Sequence, residues 1–420
     1  MVRNEKREFL LLANSQNHIL TMNKKVVTTM IGAAALTSVA LAGPAPVIAE
    51  EKSSCGSWCE TLETIGTVYS NKENPYIQNV KFFGRAQFQY GYIDGSGADG
   101  RDFNEDFEEV RRLRFGGEVK FLNGFKLKAN ANFITDGANL IGDRGIEYTR
   151  FDQAKLSYTF KDILGFEKSS ITYGRYKVAL GAEQHTSSKK IKTVERSGIA
   201  NRLTTQRPTG ASIDLEKDGW SGTLGIFSND HQAAKDELLS GWDESVAIYG
   251  STTFEVGSGE VILDAIYNDR KNVVDPFLYE WATSAAYMTS ISDWDVTLNA
   301  VLGDNGDLNG TDRGGLFYGF VALGTTDLVE DKLEFVARYA YQGAEEDEGI
   351  RTSGRYFRRP NGGDVNSGRG DSHHALYAGL NWYQCGDRSK IMTGIEYDTL
   401  DTPSGSADAF TTWLAYRTYF

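Results

Sequence analysis

The sequence predicts an all-β chain folded as a transmembrane antiparallel β-barrel of about 16 strands with an inward-folded third loop. Three observations carry this expectation. Apolar and polar residues alternate with period 2 in run after run; the runs are roughly ten residues long, the length a tilted strand needs to cross a bilayer; and the composition does not suit a bundle of membrane helices. The chain has 420 residues, 12% aromatic side chains, 45 Gly and only 7 Pro, with a mean hydropathy of -0.40. That is too polar for spanning helices but suits a barrel, in which only every second side chain meets lipid. The length would otherwise suggest two or three soluble domains, yet one large all-β domain of this size is ordinary.

The N-terminal region precedes any strand. Residues 1–21 read as an upstream extension ahead of a natural start at Met22. Met22-Asn-Lys-Lys25 supplies a cationic start, Ile31 to Leu41 an apolar core, and Val47-Ile48-Ala49 a small-residue cleavage site, with Pro44 and Pro46 before it. Residues 22–49 therefore read as a secretory signal peptide, the apolar run being shorter than the ~20 residues a membrane anchor needs. Removal of residues 1–49 takes away five basic residues (Arg3, Lys6, Arg7, Lys24, Lys25) and two acidic ones (Glu5, Glu8), which moves the net charge from -13 to -16. So acidic a chain disfavours nucleic acid as a partner and makes any local cluster of Lys and Arg informative. Export places the cysteines in an oxidising compartment. Cys55 and Cys59, with Trp58 between them, are a candidate local disulfide, and Cys385 has no obvious partner. No second ligand pair follows at zinc spacing, so no metal is expected. Residues 50–78 read as an N-terminal periplasmic segment and 79–420 as the barrel.

Within the barrel region the alternation is regular. Val80, Phe82, Gly84, Ala86, Phe88, Tyr90 and Tyr92 share one face, while Lys81, Arg85, Gln87 and Gln89 share the other. Phe125, Leu127, Ala129, Ala131 and Phe133 alternate without exception against Lys126, Lys128, Asn130 and Asn132. Such runs place strands near 79–93, 108–122, 124–135, 150–160, 169–178, 209–217, 219–228, 244–256, 259–269, 280–290, 293–302, 314–325, 331–342, 373–384, 389–398 and 409–420. An even number closes an antiparallel barrel, and sixteen strands leave an aqueous lumen. Short connections such as Leu122-Asn-Gly124 alternate with long polar ones, expected at 94–107 and 343–372. The last strand ends on Phe420, with Tyr416, Leu414 and Phe410 on the same face and Thr418 as the exception, a pattern like the signal read during outer-membrane barrel assembly.

Charge on the wet faces is locally reversed. Arg85, Arg112, Arg114, Lys120, Lys126, Lys128 and Lys155 have lumen parity against Glu118 alone in the same stretch. Cations lining a narrow passage with low-dielectric walls lower the barrier for anions and raise it for cations, and the Arg fork suits phosphate and carboxylate oxygens. The competing reading is that each such residue is merely solvated or paired. The segment from Val178 to Pro208 breaks the alternation and carries Lys189, Lys190, Lys192, Arg196, Arg202 and Arg207 with only Glu183 and Glu195 as acids. It is either a constriction folded into the lumen or a basic surface loop. A second loop with Arg351, Arg355, Arg358, Arg359 and Arg369 suits an outer collecting funnel. Catalysis finds no support: His373 and His374 are adjacent and face opposite ways in a strand, and there is no nucleophile elbow, zinc-type His spacing or phosphate-binding glycine loop. No cofactor is expected.

Phe107-Glu-Glu-Val-Arg-Arg-Leu-Arg-Phe-Gly-Gly117 followed by Gly124-Phe-Lys-Leu-Lys-Ala-Asn-Ala-Asn-Phe133 resembles the phosphate-selective porin O/P family. Phe151-Asp-Gln-Ala-Lys-Leu-Ser-Tyr158, Thr172-Tyr-Gly-Arg175, Gly181-Ala-Glu-Gln-His-Thr-Ser-Ser-Lys189, Val194-Glu-Arg196, Leu380-Asn-Trp-Tyr383 and terminal Phe420 extend the resemblance from about residue 80 to 420, strongest over 107–196. It implies a homotrimer of sixteen-stranded barrels in outer-membrane lipid, each with an arginine ladder leading to a narrow site for phosphate or similar small anions. Arg111 and Arg112 match the family's paired arginines, and Asp152 an aspartate at its constriction. One position departs: the lysine that follows Gly-x-Glu in the third loop of phosphate-selective members is Gln184 here, with Lys189, Lys190 or Lys192 as candidate substitutes. The alternative to a channel is a surface barrel with a plugged lumen.

Overall fold

A computed structural model describes residues 57–134, 145–163, 165–205, 207–230, 237–243, 245–269, 277–306, 311–352, 357, 360 and 362–420. The segments expected as extension and signal peptide, 1–21 and 22–49, lie outside the described residues, as does Cys55. The chain begins with a short helix, α1 (Ser57–Thr64), and a short strand, β1 (Thr67–Ser70). The first six barrel strands to follow are β2 (Ile77–Ser96), β3 (Asp102–Phe121), β4 (Phe125–Asn132), β5 (Arg150–Ile163), β6 (Phe166–Arg175) and β7 (Thr209–Lys217). Between β6 and β7 lie two one-turn helices, α2 (Ala182–His185) and α3 (Gly198–Arg202). Then come β8 (Trp220–Ser228), β9 (Val246–Val256), β10 (Gly259–Asn268), β11 (Trp281–Ile291), β12 (Trp294–Asp304), β13 (Leu316–Val329) and β14 (Leu333–Ala344). A pair of two-residue antiparallel strands, β15 (Ile350–Arg351) and β16 (Arg369–Gly370), precedes the closing strands β17 (Ser372–Tyr383), β18 (Ser389–Thr402) and β19 (Gly405–Tyr419).

Leaving out β1, β15 and β16, sixteen strands pair antiparallel with their sequence neighbours, and β19 closes on β2 with Thr418 opposite Ala86 and Asp408 opposite Ser96. All sixteen expected strands are present. The connection between the first two barrel strands is shorter than expected: β2 and β3 continue to Ser96 and from Asp102, leaving 97–101 as the turn. The intervening residues looked like loop because strands that extend past the membrane into water need no apolar outer face, yet Ile93 and Phe103 still point inward and are buried.

The burial pattern is inverted relative to a soluble sheet. Phe82, Leu127, Leu224, Ile248, Leu376, Trp382, Ile395 and Leu414 are exposed on the outside, while Gln87, Asn130, Asp264, Asn299, Arg338 and Arg417 are buried inside. Only hydrocarbon outside and a polar interior make that arrangement favourable. Short turns lie at one end, several with a residue at positive φ such as Gly219 (65°) and Gly257 (62°) that a two-residue hairpin requires. Long loops lie at the other end.

β2 is longer than β19, and its protruding end pairs with β1, Thr67 opposite Lys81. Phe420 bridges the junction: it exchanges backbone hydrogen bonds with Gly84 (3.3 and 3.1 Å). A Cβ at Gly84 would lie 2.6 Å from the Phe420 ring, so a larger residue here would displace that ring. The expected Cys55–Cys59 disulfide is replaced by a bond between Cys59 and Cys385, whose Cα atoms are 5.3 Å apart across a sequence separation of 326. Closure of the barrel brings α1 beneath the turn between β17 and β18, a proximity that spacing along the chain cannot show, and Arg388 of that turn adds an ion pair to Glu63 at 3.2 Å. A non-reducing proteolytic digest is expected to recover the Cys59 peptide cross-linked to the Cys385 peptide, and a Cys55–Cys59 link would contradict the structure. Cys385→Ser should lower the unfolding temperature, with about 6 kcal/mol as the chain-entropy upper limit for so long a loop.

Candidate pore constriction

The segment from residue 176 to 208 folds into the barrel because it has an apolar side as well as a basic one. Val178, Leu180, Val194, Ile199 and Leu203 are buried against inward-facing Phe317, Val321, Val336, Tyr377, Met392 and Trp413. The alternation of the barrel strands hides this partner surface, because those apolar inward positions break an otherwise polar interior. Polar contacts then pin the loop to the same wall. Arg338 on β14 reaches Glu183 at 3.2 Å and Glu396 on β18 at 2.7 Å, and it donates to Glu195 O at 2.8 Å. Lys390 donates to Ile191 O at 2.9 Å, and Arg417 donates to Val194 O. Lys192 pairs with Glu334 at 2.6 Å. On the far side Asp264 receives His185 at 2.8 Å and the Gly181 amide at 2.8 Å.

The basic wall of β2–β5 meets the other edge of the loop. A bulge in β3, where Gln87 opposes Arg112 and Phe88 opposes Val110, leaves Arg111 as an extra residue, so Arg111 and Arg112 both turn inward. Arg111 pairs with Glu195 at 2.5 Å, and Arg112 donates to Gln87 Oε1 at 2.8 Å. A second bulge, between Asn130 and Ala131, inserts Asp152, which sits between Arg114 (2.8 Å) and Arg207 (3.1 Å). Arg85 donates to Ser188 Oγ. Thus Arg85, Arg111, Arg112, Arg114 and Asp152 are brought together, and each is engaged with the loop or a neighbouring strand.

The lysines differ. Lys126 and Lys155 are half-buried with inward parity, Lys155 lying over the Tyr176 ring at 4.9 Å. Lys128 stands 3.9 Å from Glu118. Lys189 lies over the Tyr419 ring at 4.2 Å, and Lys190 is exposed. By contrast Lys192 is paired, and Arg196 donates to Glu183 O (2.6 Å) and Thr186 O (2.8 Å), bracing the loop. Gln184 does not line the passage: it is 2% exposed, and its amide donates to Ala200 O and to Thr204 Oγ1 at 2.6 Å, joining α2 to α3. Arg338, Lys390 and Arg417 went unrecognised in the sequence because only barrel closure places them opposite the loop. Of the second basic loop, Arg355, Arg358 and Arg359 lie outside the described residues, while Arg351 and Arg369 stand opposite each other in the β15–β16 pair.

A closed sixteen-strand barrel with an apolar belt, a polar interior and a loop folded within it is the architecture of an outer-membrane porin channel. Residues 80–261, which span β2 to the start of β10 and include the third loop, carry the family pattern described as phosphate-selective porin O and P, which bears out the resemblance. No curated protein matches the chain in sequence. Among solved structures it is similar to the outer membrane channel DcaP of Acinetobacter baumannii (14% identity, 84% of this chain and 100% of that chain, TM-score 0.54). It is also similar to OprB of Pseudomonas putida (10%, 80% and 94%, 0.52) and to an anion-selective porin from Comamonas acidovorans (12%, 81% and 99%, 0.51). At these identities the likeness establishes the fold.

Arg338→Gln would leave Glu183 and Glu396 buried without their common partner, a loss of about 3–5 kcal/mol. Its expected result is a lower unfolding temperature and a larger, noisier conductance in planar bilayers as the loop leaves the wall. Gln184→Lys would place an ammonium against Ala200 O and Thr204, so it should destabilise the loop and leave phosphate block of chloride current unimproved.

Proposed function

We propose that the protein is a passive, water-filled outer-membrane channel that favours anions, phosphate or similar oxyanions among them. The observation that carries this reading is the group of half-buried inward lysines, Lys126, Lys128, Lys155 and Lys189, faced within ion-pair distance by Glu118 alone among the described residues. Ammonium groups in a confined aqueous passage attract anions and exclude cations. The burial of Gln184 argues for a charge supplied from Lys189 in place of the third-loop lysine of phosphate-selective members. Export through the 22–49 segment and assembly as a homotrimer follow from the sequence and the family resemblance and belong to the same reading. A second reading, a non-conducting surface barrel, draws on how completely the loop covers Arg338, Lys390 and Arg417. Planar-bilayer recording separates the two: a folded barrel without ohmic channel events would establish the second.

Lys189 makes the selectivity depend on pH. Burial, followed by repulsion from Arg85, Lys128, Lys81 and Arg388, pushes its ammonium down to about 7, and the rings of Tyr419 and Phe83 face it from the barrel. The side chain is therefore charged below this value and neutral above it. Anion-over-cation permeability, read from reversal potentials in asymmetric KCl, should fall between pH 6 and pH 8, and Lys189→Gln should flatten the profile. Lys126→Gln with Lys128→Gln should lower the ratio throughout that range without unfolding the barrel.

A further inference from the structure

The third loop covers the lumen unevenly. Against β13–β19 it buries inward-facing Val321, Val336, Arg338, Met392, Glu396, Trp413 and Arg417. Along β4–β9, in the half of the barrel nearer the short turns, inward-facing Lys126, Lys155, Ser170, Asp214, Thr223 and Ser251 stay half-exposed. The remaining aqueous route therefore runs against this second wall.

That wall has two chemistries side by side. The lysine patch, with Lys128 opposite Lys155 and Lys126 opposite Ser157, borders a row of hydroxyls and carboxylates. Strand register makes the row continuous: Ser170 opposes Asp214, Asp214 opposes Thr223, Thr223 opposes Ser251, and Ser251 opposes Asp264. Asp214 accepts from Thr223 at 2.8 Å and from Ser170 at 3.4 Å. An ionised carboxylate only accepts hydrogen bonds, whereas a hydroxyl both donates and accepts. The row thus repels a bare oxyanion but pairs well with a solute rich in hydroxyl groups.

We propose that the solutes this wall favours are polyhydroxylated anions, such as sugar phosphates or sugar acids. The anionic group lies at Lys126, Lys128 and Lys155, and the hydroxyls run along Ser170, Asp214 and Thr223. This deepens the anion-channel reading and rests on it. Bare inorganic phosphate engages only the lysines, and a neutral sugar only the hydroxyl row.

The test is block of single-channel chloride current by glucose 6-phosphate and, separately, by inorganic phosphate. Thr223→Val with Ser251→Ala, which keep shape and remove hydroxyls, should shorten the glucose 6-phosphate dwell time at least about threefold, as the loss of a solute hydrogen bond predicts. The inorganic phosphate dwell time should not change. Asp214→Asn, a milder change, should speed entry of inorganic phosphate more than that of glucose 6-phosphate, since it removes repulsion from the anion and keeps a carbonyl acceptor for the sugar. Equal effects on both blockers, or no effect in folded channels, would overturn the proposal. A cation-selective reversal potential in the unsubstituted protein would instead overturn the anion-channel reading.

Discussion

Hydrocarbon offers no hydrogen bonds to a backbone, so a sheet that lies in a membrane cannot keep an open edge. Closure of β19 onto β2 meets that demand, and much else in the structure follows from it. The ring fixes which side chains face each other across the lumen. It brings the C-terminal Phe420 against Gly84, lays β1 along the protruding end of β2, and carries Cys385 to Cys59. The same closure turns the usual burial rule inside out: apolar side chains become the exposed belt, and the polar ones form a crowded interior that must be satisfied internally.

The crowded interior explains the third loop. A basic segment exposed to water would gain little from staying in the barrel. This one presents Val178, Leu180, Val194 and Ile199 to an apolar inner wall and backbone carbonyls to Lys390 and Arg417. Arg338 completes the attachment by serving two buried carboxylates at once. Removal of one partner from such a network is costly because it strands the others in a poorly solvated place. The network ties the loop to β14 and β18, while near the short turns of β4–β9 inward-facing Lys126, Ser170, Asp214 and Thr223 stay half-exposed.

Charge on those walls divides into two roles. Arg111 and Arg114 on the wall, with Arg207 of the loop, are held by Glu195 and Asp152 where loop and wall meet. Lys126 and Lys155 are half-buried on the inner face, and with Lys189, while it is protonated, they carry the proposed attraction for anions. The division matters physically: a cation in a close ion pair presents little net field to a passing ion, while one in a water-filled, low-dielectric-walled space presents much of it.

Period-2 alternation, strand length and turn chemistry were enough to read the class, the number and the placement of the strands, because each of these is a local consequence of one face meeting lipid and the other water. The same parity assigned Arg112, Arg114, Lys126, Lys128 and Lys155 to the lumen. Arg111 and Asp152 came only with the family resemblance, since a bulge shifts parity by one residue and leaves little trace in composition. The pairing of Cys59 with Cys385, the inward turn of Gln184 and the pins supplied by Arg338, Lys390 and Arg417 were decided by tertiary structure alone. Gln184 closes on Ala200 and Thr204 within its own loop, where no alternation operates, and the others join residues far apart in the chain; alternation reports which way a side chain points without reporting what closure of the ring will set in front of it.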